Sequence, residues 1–283
     1  QKKHKDATAL CNKHIENNGP YSNECLGIIS RQLFELKHYD QALAIYEKKK
    51  SDPKCQWAAV GIGKIQLARE EPQEAKKTFE DIIAKTPLYL AAYDWLAKVH
   101  EELGEHDQAE LVLDAAVNIS PRSLRRNKQL AQLCEDNQNF EDASAAYKNI
   151  IRLAKNSVHN KADNRLSYAR TMTEQASQIE DKQQVARLQS EAFSQLETVQ
   201  KEFRSPYVTI EANLASISLH TQQGNAKAAD DALHAAELIW DNFEGEIPEE
   251  LKLEFAKSYQ QTNKSHKAEA ILEQMVINNC DNE

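Results

Sequence analysis

Arg31, Lys64 and Lys98 stand 33 and 34 residues apart, and Gln132 follows after another 34. Lys257 takes the corresponding place near the end of the chain. Phe34 and Leu67 each follow a member of the row by three residues, and Trp57, Val60, Asp94, Arg125 and Lys128 lie a few residues ahead of their nearest member. On one face, these side chains make and break no covalent bonds. They hold a negatively charged segment that brings apolar anchors with it. The lysines also read as ordinary solvated side chains paired with Asp94, Glu101, Glu102, Glu135 and Asp136. Trp57 is the most informative single residue, because a large aromatic at an exposed position signals a contact. Packing against the preceding helices is the other reading of it.

Residue types that do break bonds are present without the spacing that would let them act. The nine histidines are scattered singly. His100 and His106 are close in sequence but straddle a turn, and no cysteine or carboxylate pattern completes a metal site, so they read as surface or groove histidines. No H-E-x-x-H, no G-x-S-x-G and no glycine-rich phosphate loop occurs. The 44 acidic residues read as solvated helix faces, from which no catalytic pair stands out. Neither catalysis, a cofactor nor a bound metal is expected.

The elements that must position the row are helices. Seven glycines and seven prolines among 283 residues leave little to interrupt them, and alanine, leucine, glutamate, glutamine and lysine dominate. A mean hydropathy of −0.70 suits an elongated chain with much surface per residue. The net charge of −9 argues against non-specific nucleic-acid binding, which needs a basic face. No apolar run is long enough to span a membrane. Five widely spread cysteines without a C-x-x-C read as reduced, mostly buried residues of a cytoplasmic protein. Residues 1–17 read as mid-helix with no cap, which points to a fragment of a longer protein.

A second beat runs through the same half of the chain. Pro20, Pro53, Pro87 and Pro121 are separated by 33, 34 and 34 residues, and so are Ala42, Ala75, Ala109 and Ala143. A period of about 34 is that of stacked helix–turn–helix units, each unable to bury its apolar face alone. Small residues let the two helices of a unit approach closely, and proline resets the chain for the next. The clearest unit runs from 90 to 123, with Tyr93, Leu96, Ala97 and His100 on its first helix, a Gly104-Glu105 turn, then Ala109, Leu113, Ala116 and Pro121. With the units at 23–55, 56–89 and 124–157, these residues resemble the tetratricopeptide repeat.

That resemblance implies an all-α fold, a right-handed superhelical solenoid of antiparallel helix pairs whose first helices line a concave groove. It places Arg31, Phe34, Trp57, Lys64, Leu67, Lys98, Arg125 and Lys128 on that groove, as the candidate partner-binding residues. The carboxylate clamp of some co-chaperone repeats is not reproduced: Gly27 stands at its early lysine position, and its asparagine position falls near Gly61. A heat-shock co-chaperone role is therefore not expected.

Four regions follow: a leading helix or incomplete repeat at 1–22, four regular units at 23–157, an elongated helix pair at 158–206, and two divergent units with a cap at 207–283. In the third the period breaks, since Ala143 and Ala192 are 49 apart, and two helices at about 161–180 and 183–204 are expected to project. Their apolar positions Leu188, Phe193 and Leu196 suit an oligomerisation arm, or an extension packed on the next pair. In the last region Trp240, Phe243 and Ile247 stand where a proline turn belongs.

The stretch from Ile119 to Arg126 together with Asn160 to Arg170 also resembles the C-terminal repeat region of bacterial response regulators, which implies an upstream receiver domain. The reading is thus a non-enzymatic scaffold that binds an acidic protein or peptide segment in its groove, as the output region of a response regulator. The alternatives are a docking or regulatory region of a larger enzyme, or a self-associating assembly factor.

Overall fold

A computed structural model describes residue 19 and residues 21–157, 160–243 and 247–280. The expected leading helix, Pro20 and Cys11 lie outside the described residues. Among those described there are fourteen helices and no strand: α1 (Ser22–Glu35), α2 (Tyr39–Lys49), α3 (Gln56–Ala68), α4 (Pro72–Lys85), α5 (Leu90–Glu102), α6 (His106–Ile119), α7 (Leu124–Asp136), α8 (Phe140–Ala154), α9 (Ala162–Ser177), α10 (Lys182–Glu202), α11 (Pro206–Gln222), α12 (Ala226–Asp241), α13 (Glu249–Gln261) and α14 (Ser265–Cys280). The all-α expectation of stacked helix pairs holds. The pairs group into two compact units, one ending at Arg126 and one starting at Asn127.

In the first unit the alanine beat is a packing device. Ala42, Ala75 and Ala109 have no exposed surface, because each lies where its helix presses on the first helix of its pair. Glycine does the same from the other side. A Cβ built on Gly63 would stand 2.5 Å from the Phe79 ring, and one on Gly61 2.4 Å from the Tyr46 ring. Pro53, Pro87 and Pro121 sit in the turns between pairs. The first helices of successive pairs touch, α1 with α3 and α3 with α5.

Each of these pairs turns on a residue in the left-handed region. Lys37 (φ 60°), Glu70 (φ 61°) and Gly104 (φ 72°) stand two residues past the ends of the first helices. After α1, the His38 N–H donates to the Leu33 carbonyl at 2.8 Å and the Lys37 N–H to Phe34 at 2.9 Å. That bond pair satisfies carbonyls a helix end otherwise leaves open. Gln138, Gly224 and Asn263 repeat the device in the second unit.

In the second unit α9 has 16 residues and α10 has 21, so only the latter reaches the expected roughly 30 Å. Asp181 caps α10 by accepting from the Gln183 N–H at 2.8 Å. The pair is stacked rather than free, since α9 packs on α8 and α10 on α11. Of the two readings of this pair, an oligomerisation arm or an extension packed on the next pair, these contacts follow the second. Leu196 is buried, Phe193 is half-buried with its ring 4.8 Å from that of His220, and Leu188 is half-buried. The apolar positions of the arm serve the stack itself.

Polar groups tie this unit together as well. Glu135 accepts from Tyr147 at 2.9 Å and from Thr171, joining α7, α8 and α9. Further on, Ile210, Leu214, Leu233, Leu251 and Phe255 form a core against which Trp240 and Ile247 pack. The Trp240 ring meets Phe255 edge-on at 4.3 Å, so the missing proline turn is replaced by an aromatic plug.

Candidate functional site

The first helices of the first unit gather three of the expected side chains, Phe34, Lys64 and Lys98, with one that was not foreseen, Trp95. The Lys64 ammonium, from α3, lies 4.3 Å from the centre of the Phe34 ring on α1 and 4.9 Å from that of Trp95 on α5. Lys98, one turn beyond Trp95 and exposed, places its ammonium 4.7 Å from the same indole. Trp95 is held in place from behind by Phe79, stacked on it at 6.5 Å with an interplanar angle of 15°. Two cations thus share one indole, a favourable arrangement for the quadrupole of each ring and an unfavourable one for the two charges.

Burial pushes Lys64 below the usual lysine range; the nearby Glu35 opposes this, and the positive charges of Arg31 and Lys98 add to it. Arg31 itself is exposed, and its charge reaches far enough across the face to oppose the rise that burial gives the Tyr89 phenol. None of Arg31, Lys64 and Lys98 forms an ion pair among the described residues. Asp94, one turn before Lys98 on α5, is engaged elsewhere. Asp94 receives two bonds from Arg126, at 2.8 and 2.9 Å, and a further one from Arg125.

The remaining expected residues take other places. Trp57 is half-buried and turned onto the preceding pair: its ring meets that of Tyr46 edge-on at 6.0 Å and lies 3.2 Å from where a Cβ on Gly27 would stand. Leu67 is half-buried against the core of Val60, Phe79, Leu96 and Val99. Val60, placed with the groove residues in the sequence, is itself buried there. Arg125 is exposed but tied to Asp94. Lys128 is exposed on α7 and belongs to the second unit.

Trp95 was missed because the repeat frame assigns its position to neither the core nor the groove. The signal was present all the same, as an aromatic one helical turn before Lys98. His100 also departs from expectation. It is buried rather than at the surface, with Nδ1 2.6 Å from the Glu105 carboxylate, which accepts from Lys76 at 2.6 Å too. The two bonds, that of Lys76 first, hold Glu105 below the usual carboxylate range. Among the described residues no group of three His, Cys, Asp or Glu is placed to hold a metal, and no helix is long and apolar enough to cross a membrane.

The tetratricopeptide repeat family model matches residues 60–123, the stretch that carries Lys64, Trp95 and Lys98. That stretch is similar to tetratricopeptide repeats. Solved structures extend the likeness along the chain. A tetratricopeptide repeat protein from Parabacteroides merdae shares 16% identity over 89% of this chain and 91% of its own, with a TM-score of 0.57. The C-terminal part of a repeat-containing protein from Cytophaga hutchinsonii shares 15% identity over 86% and 92%, with a TM-score of 0.59. The Naa15/Naa10 assembly bound to HypK-THB offers a chain sharing 14% identity over 91% of this one but only 37% of its own, with a TM-score of 0.60. At such identities the likeness is one of fold. No curated protein matches the sequence. The response-regulator resemblance has no counterpart among these relatives.

Proposed function

We propose that the protein is a non-enzymatic interaction scaffold whose first unit holds an acidic segment of a protein partner on the face formed by α1, α3 and α5. Repeat arrays of this kind offer extended surfaces rather than closed pockets. The observation that carries the reading is Lys64: a half-buried ammonium against two aromatic rings, in no ion pair among the described residues although Glu35 lies near enough to favour its charge. A carboxylate arriving there meets a cation already stripped of much of its water, so little desolvation remains to oppose the pair. Arg31 and Lys98 extend the positive field along the face. Phe34 and the Trp95 edge supply apolar contact, and Trp57 and Leu67 back the wall behind them. The Asp94-bound Arg125 joins the positive side chains nominated for the partner.

The buried thiols of Cys25, Cys55 and Cys134 suit a reducing, cytoplasmic setting. A place in bacterial signalling rests on the residues of 119–126 and 160–170 alone.

The test is binding of the full chain to a peptide library in which acidic peptides compete with their Asn/Gln counterparts. Acidic members are expected to be enriched, and Lys64→Glu with Lys98→Glu to weaken them about tenfold or more while helicity is kept. Equal binding of acidic and amide peptides, or unchanged affinity in the double variant, would sink the reading.

A further inference from the structure

The last three helices frame a second kind of site, independent of the reading above. Earlier in this unit the second helix of a pair packs closely on the first helix of the next, α8 on α9 and α10 on α11. α12 and α13 stand further apart and meet through side chains instead, and a cavity of about 360 Å³ opens between α12, α13 and α14. Its lining is aromatic on one side. Phe255 and Tyr259 of α13 lie there, with the half-buried Trp240 of α12 edge-on against Phe255. The exposed Leu238 and the half-buried Ile271 add apolar surface. The other side carries charge. Glu237 of α12 accepts two bonds on one oxygen, Oε1: from the Lys267 ammonium at 2.7 Å and from the Tyr259 hydroxyl at 2.8 Å. Its second oxygen, Oε2, faces His234 Nδ1 at 3.7 Å, beyond hydrogen-bond reach. Burial works to raise Glu237, but the bonds from Lys267 and Tyr259 outweigh it and hold the carboxyl below its usual range, so it is charged at neutral pH. Asp241, one turn further along α12, lines the same cavity and forms no ion pair among the described residues. Burial, then Glu237 and Asp241, push the Tyr259 phenol up, so both carboxylates act on one spot. The Lys267 ammonium stands 5.3 Å from the centre of the Tyr259 ring. The cavity thus already holds one cation between a ring and a carboxylate, and two carboxylates face that single cation.

We propose that this cavity receives an arginine from a basic segment of a protein partner, its guanidinium bridging Asp241 and the open oxygen of Glu237 beside the Trp240 ring. Arginine suits the site better than lysine, because its planar fork donates to two oxygens at once and lies flat on an aromatic face. Lys267 neutralises Glu237 on Oε1 and leaves Oε2 and Asp241 for the partner, so the pocket keeps one negative charge to attract it. Leu238 and Ile271 take up apolar side chains beside the arginine. The site lies between the second helices α12 and α14, and its preference for a basic segment is the reverse of that on α1, α3 and α5.

The experiment titrates the full chain with a blocked Leu-Arg-Leu tripeptide and follows the indole N–H signals by nitrogen-15 NMR. The Trp240 signal is expected to shift and saturate, while those of Trp57 and Trp95, both in the first unit, stay still. The same tripeptide with citrulline, a neutral isostere of arginine, should not shift it. Asp241→Asn should weaken the arginine peptide about fivefold or more. Lys267→Met, which removes the competing cation, should tighten binding, whereas a purely structural Lys267 would weaken it when lost. A Trp240 signal that does not saturate, citrulline binding as well as arginine, or unchanged affinity in Asp241→Asn overturns the proposal. Methylguanidinium alone binding as tightly as the tripeptide would overturn the protein partner, since the apolar flanks would then add nothing. The comparison of arginine with citrulline uses only the wild type, so it decides the matter even if a variant fails to fold.

Discussion

Gly63 is where a single atom would be felt most widely. Its missing Cβ makes room for Phe79, which is fully buried and stacks on Trp95, and Trp95 in turn carries Lys64 and Lys98. Gly63→Ala should therefore push Phe79 toward the indole, costing about 1–3 kcal/mol of stability in a denaturant melt and shifting the emission of Trp95. An unchanged melt would mean that the ring yields freely. Small residues of this kind were legible in the sequence, because their spacing follows the period of the pairs. Trp95 was not. Its setting depends on Lys64 and Phe79 from the preceding pair and, through Lys64, on Phe34 from the pair before that, which no single stretch of sequence brings together. Trp57 shows the converse: the sequence marked it as an aromatic of note and left open whether it faces a partner or the preceding pair, and Gly27 makes the space that draws it onto that pair.

At the scale of the element, the turn inside each pair keeps time as strictly as the alanines. Lys37, Glu70, Gly104 and Gln138, all with positive φ, are 33, 34 and 34 residues apart. Only two of the six such positions, Gly104 and Gly224, are occupied by the residue that adopts this conformation without strain, and Asn263 tolerates it. Glu70→Gly should accordingly stabilise the first unit by about 0.5–1 kcal/mol, read as a higher melting temperature, and Gly104→Ala should destabilise it by a similar amount. The sequence disclosed this device only where glycine stood; Lys37, Glu70 and Gln138 look like ordinary surface residues. The α9–α10 turn is the exception. It has no left-handed residue and relies on the Asp181 cap, in keeping with the 49-residue step that breaks the period there.

For the molecule as a whole, stability in a repeat array is a sum of near-neighbour terms, and a local change is felt locally. Gly61→Ala, which drives a Cβ into Tyr46, should raise hydrogen exchange in α2 and α3 and leave α11 to α13 at wild-type rates. Loss of protection in both units at once would show that they unfold together. Helical class and stacked pairing were readable over the described residues, because periodicity is a property of long stretches of chain. The bond between Arg170 and Glu254 was not, since the two are 84 residues apart and only the packing of α11 against both α9 and α13 brings them together.

The setting of Lys64 also has a consequence for reactivity. A lysine whose ammonium is disfavoured holds a larger share of free amine at a given pH, and the free amine is the nucleophile toward acylating reagents. An acidic segment laid over the Phe34 and Trp95 rings would return the proton and shield the nitrogen. The rate at which this one side chain takes up an acyl label is thus a built-in gauge of whether the face is occupied.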